Sequence, residues 1–133
     1  MKYVRGISIK TKVTIKQKSR DESFHRTDNQ ADLINYGPYQ RIMYDEEDAY
    51  VILDFTNDEV SLKRQGEWLT QGRFCKGERT ELLVSNEQGI LVFEVEVEAL
   101  EVKSGLLYMR YHLKQAGSLI DTLEFECRWE PEV

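Results

Sequence analysis

Leu91-Val92-Phe93-Glu94-Val95-Glu96-Val97-Glu98 sets Leu91, Phe93, Val95 and Val97 on one parity and three glutamates on the other. Successive side chains of an extended strand point to opposite faces, so this run builds a strand with one dry and one wet side. Upstream, Ile7, Ile9, Val13 and Ile15 alternate with Ser8, Lys10, Lys12, Thr14 and Lys16. Downstream, Leu123, Phe125, Cys127 and Trp129 alternate with Glu124, Glu126 and Arg128. No segment carries a competing helical period.

Between these strands lie Ala49 to Phe55, Glu59 to Arg64, Glu67 to Cys75, Thr80 to Val84 and Leu106 to Leu113, all rich in β-branched and aromatic residues. Asn57-Asp58, Gln65-Gly66, Lys76-Gly77, Gln88-Gly89, Ser104-Gly105 and Ala116-Gly117 punctuate them with residues suited to tight reversals. Consecutive strands are then antiparallel neighbours. The expected fold is all-β, a single antiparallel up-and-down barrel of about eight to ten strands, with a stacked sandwich as the other way to close such a meander. Arg20 to Tyr39 fits the pattern poorly and reads as a ragged second strand and a loop, with Phe24, Leu33, Ile34 and Tyr36 as its buried residues.

A chain of 133 residues, 41% of them apolar, builds its own core as one domain spanning 1–133. Two cysteines and two histidines are too few for a zinc module or a disulfide framework, and no metal or cofactor is expected. The start lacks the apolar segment of a secretion signal, and no apolar run reaches the roughly 18 residues of a membrane helix. The expected place is the cytoplasm.

Charge is segregated along the sequence. Lys2, Arg5, Lys10, Lys12, Lys16, Lys18 and Arg20 form a basic arm, and Tyr44 to Glu59 carries Asp45, Glu46, Glu47, Asp48, Asp54, Asp58 and Glu59. Nucleic acid is not the expected partner: the net charge is −6, and the arm lacks aromatic residues for base stacking. Cross-strand pairing explains the lysines instead, Lys10 and Lys12 facing Glu124 and Glu126 if the first strand lies beside the last.

No catalytic constellation emerges. His25 and His112 lack evident partners, Cys127 reads as a small core residue, and Lys76 beside Cys75 is a weak reason for a reactive thiol. The acidic run Asp45 to Asp48 lacks the spacing of a calcium loop. More informative are polar residues on dry parities. Arg64 follows Val60 and Leu62 and is expected to plug the barrel or mark its mouth, bonding backbone carbonyls or stacking on Trp68. Arg73 sits beside Phe74 in a strand of ambiguous parity.

Tyr44 to Glu47, Val60 to Gly66, Phe74 with Gly77, Ser85 to Gly89 and Tyr111 to Leu113 together resemble the YwiB-like family of bacterial β-barrel proteins, a domain of unknown function. The resemblance runs from about Gly6 to Trp129 and implies a lipocalin-type, calycin-like barrel with no catalytic motif. Relatives tend to carry a tyrosine ahead of the Gly89 turn, where this chain reads Leu82-Leu83-Val84-Ser85.

Two functions fit such a barrel. In the first, the interior takes a small molecule, with Arg64, Tyr44 and Arg73 orienting an anionic or polar group against Phe93, Phe125 and Trp129. In the second, the interior is solid and the protein, a monomer or homodimer, works as an interaction module through its surface. The bulk of Leu91, Phe93, Met109, Tyr111, Leu113, Phe125 and Trp129 argues for a filled interior, and analogy with calycins for a ligand.

Overall fold

The structure, a computed structural model, describes residues 8–19 and 25–130. Ile7 and Phe24 lie outside the described residues, as do Lys2, Arg5 and Arg20 of the basic arm. Ten strands run in chain order: β1 (Ser8–Ser19), β2 (His25–Asn35), β3 (Gln40–Asp45), β4 (Tyr50–Phe55), β5 (Glu59–Gln65), β6 (Leu69–Cys75), β7 (Arg79–Asn86), β8 (Gly89–Lys103), β9 (Leu106–Gln115) and β10 (Ser118–Trp129). Each pairs antiparallel with its sequence neighbours, and β1 pairs with β10, so the sheet closes into an up-and-down barrel without the sandwich alternative. All six expected reversals are turns or bends. At the β9–β10 turn both Ala116 (φ 51°) and Gly117 (φ 81°) are left-handed, the twist that a two-residue hairpin favours.

Within Arg20 to Tyr39 the ragged segment is a regular strand, β2, followed by the expected loop at 36–39, and β3 is a further strand that the sequence reading does not name. The inward side chains of β2, Asn29 and Thr27, are paired in register with Val13 and Ile15, so the apolar alternation that marks other strands is missing. The first strand does lie beside the last, but its lysines pair differently. Lys16 faces Glu126 and Lys18 faces Glu124, whereas Lys10 bonds Asp32 of β2 at 2.5 Å.

The two faces of the sheet follow the parities. Val13, Ile15, Ile42, Leu53, Phe55, Val60, Phe74, Val95 and Leu107 point inward and are fully buried. Outside, charges pair across strands: Arg41 clasps Asp54 through two bonds of 2.6 and 2.8 Å, and Lys114 bonds Glu96 at 2.9 Å. After Gly72 the β6–β7 ladder ends. A Cβ at Gly72 would come within 2.8 Å of the Glu81 carbonyl oxygen and of Leu82 Cδ1, so glycine is what lets β7 approach there. Among the described residues there is no helix long and apolar enough to cross a membrane.

Candidate functional site

The strands present two kinds of inward surface. Along the first, side chains close on one another and no water reaches them. Along β8, β9 and β10 the inward residues Phe93, Val97, Tyr111, Leu113 and Phe125 pack against that core yet remain only half-buried. Ten strands enclose a wider lumen than the roughly eight that side chains just fill. Phe74 and Tyr111, with ring centroids 4.7 Å apart, join the two kinds. Burial, and then the Asp121 carboxylate, push the Tyr111 phenol up to about 12, so the ring sits deep while its surface keeps some accessibility.

Bulges shape this wall. The β8–β9 register shifts between Val97 and Ala99, which restores Leu100 and Val102 to the inward face beyond Glu98. The β10–β9 register shifts between Leu119 and Asp121, and Asp121, opposite Leu113, keeps the inward parity of Leu123 and Phe125. On β1, Gln17 pairs with Phe125 and Ser19 with Leu123. Gln17, on the inward parity of β1, is exposed at this end of the barrel. Tyr111 thus packs on Phe74 and feels the Asp121 carboxylate, while Ser19 lies two strands away in the same row, across Leu123.

The six residues expected to form a site are not all brought together; Phe125 lies on the wall just described. Tyr44, Arg64 and Phe93 all point inward toward this mouth end. Tyr44 is 4% exposed, and burial drives its phenol far above the ordinary value. Arg64 is the mouth residue rather than a plug: Nε donates to Glu46 Oε1 at 2.6 Å, Asp48 lies 3.7 Å away, and 39% of the side chain is exposed. Trp129 sits at the opposite end, packed on Phe55 with centroids 5.7 Å apart. Arg73 lies on the outer face, where Nε donates to Glu59 Oε1 at 2.6 Å and Nη2 to Cys75 Sγ at 3.3 Å. Since Phe74 takes the inward parity, its neighbour cannot also reach the lumen.

Of the groups weighed for catalysis, Cys75 and His112 are held in structural pairs. Cys75, beside Glu59, has its thiol pushed up to about 11 by burial and by the hydrogen bond to that carboxylate, the reverse of activation by Lys76. Burial likewise raises Cys127 to about 12. His112 does have partners: Nδ1 lies 2.8 Å from Thr122 Oγ1 and Nε2 3.3 Å from Glu98 Oε1, on the outer face beside Arg110. Sequence reasoning missed Gln17, Ser19 and Asp121, because a polar residue on a dry parity reads as a break in the strand.

With this architecture in view, comparison with known proteins is decisive for the family. Residues 7–126 match the family described as Domain of unknown function (DUF1934). The chain belongs to that family. Among solved structures, this DUF1934 chain is similar to the ywiB protein from Bacillus subtilis, with a TM-score of 0.75 and 13% identity over 95% of this chain and 94% of that one. The YwiB-like resemblance read from the turn and strand residues therefore holds, and at that identity the likeness of this DUF1934 chain to the ywiB protein shows the shared fold alone. No curated protein matches significantly.

Proposed function

We propose that the barrel is a carrier or sensor for a small, uncharged, largely apolar molecule with one hydrogen-bonding end. The reading rests on one observation: Phe93, Val97, Tyr111, Leu113 and Phe125 point inward in mid-strand and are still half-buried, although a filled barrel would bury them as completely as Val60 or Val95. The apolar part of the ligand lies along Phe93, Val97, Leu113 and Phe125. Its polar end meets the Tyr111 phenol and, nearer the mouth, Gln17 and Ser19. An anion is disfavoured, because Asp121 stands beside this wall and the Arg64 charge is already paired with Glu46.

The test uses N-phenyl-1-naphthylamine, an uncharged dye that fluoresces when desolvated. Binding to the full chain, with affinity weakened roughly tenfold or more in Val97→Phe at an unchanged melting midpoint, supports the proposal. Absence of dye binding, or equal binding by Val97→Phe, overturns it.

A further inference from the structure

The hairpin of β7 and β8 extends past the end of β9. β8 pairs with β7 from Gly89 onward, but its ladder with β9 begins only at Glu94 opposite Lys114. Gly89 to Phe93 therefore has one free edge. Asn86 and Gly89 close a two-residue turn, so hydrogen-bonded and non-bonded pairs alternate from there, and the N–H and C=O groups of Ile90 and Val92 are directed away from β7. The Val92 carbonyl receives one side-chain donor on that side, Gln115 Nε2 at 3.5 Å. Ile90, Leu91 and Val92 are 67%, 47% and 41% exposed, and Leu119 and Ile120 at the neighbouring hairpin tip are exposed as well.

Natural sheets guard such an edge with lysine, proline or a bulge. Here Gly89-Ile90-Leu91-Val92-Phe93 has none of the three and no charge, in a chain where 32% of residues are charged. We propose that this edge pairs antiparallel with the same edge of a second copy, about a two-fold axis through Leu91. That register is self-consistent. Ile90 of each copy meets Val92 of the other as a hydrogen-bonded pair, using the groups β7 leaves free, and the two Leu91 residues meet as a non-bonded pair. The pairing ends before Glu94, which Lys114 already faces on that edge, and Ile90, Leu91 and Val92 carry no charge, so no like charges oppose across the seam. A membrane is a poorer occupant, since Glu87 and Glu94 flank the patch along the chain and repel anionic lipid headgroups.

Light scattering of the full chain across micromolar concentrations tests the pairing, together with oxidation of single-cysteine variants. The expected result is a dimer that Val92→Lys converts to monomer with an unchanged melting midpoint. Leu91→Cys should cross-link under mild oxidation, because a non-bonded pair brings the Cα atoms to about 4.5 Å, within disulfide reach. Ile90→Cys should not, since the two copies of that residue are diagonal neighbours about 7–8 Å apart. The native cysteines, Cys75 and Cys127, are buried. A wild-type protein that stays monomeric overturns the proposal, as does a dimer unaffected by Val92→Lys or cross-linking equal in Ile90→Cys. Monomer that cosediments with phosphatidylcholine vesicles overturns it in favour of a lipid surface.

Discussion

Phe74 and Tyr111 meet with their ring centroids 4.7 Å apart and their planes inclined at 60°, one ring wholly buried and the other half-buried. The contact joins two kinds of inward side chain: Phe74 is fully buried, whereas Tyr111 and its neighbours Phe93, Val97, Leu113 and Phe125 keep accessible surface, as Leu33, Leu62 and Val102 do elsewhere in the barrel.

Truncation should read that difference directly. Phe74→Ala removes a ring with no solvent exposure and should cost about 3–5 kcal/mol, a fall of roughly 10 °C or more in melting midpoint. Phe93→Ala, on the half-buried wall, should cost roughly half as much, because part of its surface is already hydrated. Thermal unfolding of both variants checks this, and equal losses would mean that the wall is packed as tightly as the core.

Alkaline pH should destabilise the protein. Burial raises the Tyr111 phenol to about 12 and that of Tyr44 further, while Cys75 and Cys127 are raised to about 11 and 12. Each group holds its proton more tightly folded than unfolded. Its contribution is therefore complete below the unfolded pKa and is lost as pH climbs toward the folded value. The urea midpoint should fall steadily between about pH 9 and pH 12, and Tyr111→Phe should flatten part of the slope. A midpoint constant across that window would contradict the burial of these groups.

Arg64→Leu should be mild. The side chain is 39% exposed and pairs with Glu46 and Asp48 at the mouth, so its loss should cost at most about 1 kcal/mol, a few degrees in melting midpoint. A much larger fall would restore the buried plug that the strand parity suggests.

The fold was legible where one strand face is uniformly apolar. The parities of β1, β8 and β10 follow from Ile9 to Ile15, Leu91 to Val97 and Leu123 to Trp129. It was illegible where the inner face is polar. Thr27 and Asn29 occupy inward positions of β2 beyond its pairing with β3, so hydrophobic alternation breaks there and the strand reads only as ragged. Bulges and turns hid more: the shift beyond Asp121 ends the parity that runs back from Leu123, leaving Leu119 and Ile120 out of pattern, and Lys10 pairs with Asp32 because register depends on turns that parity does not encode. Of the site, Phe93 could be read from its strand, whereas Tyr111 looked like core and Gln17, Ser19 and Asp121 like interruptions.

Native mass spectrometry of the full chain, purified without denaturation, tests the central claim most directly. A hollow beside Tyr111 predicts a discrete added mass of small-molecule size that disappears in Val97→Phe. A clean apo mass, unchanged after incubation with uncharged apolar compounds and identical in the variant, would contradict it.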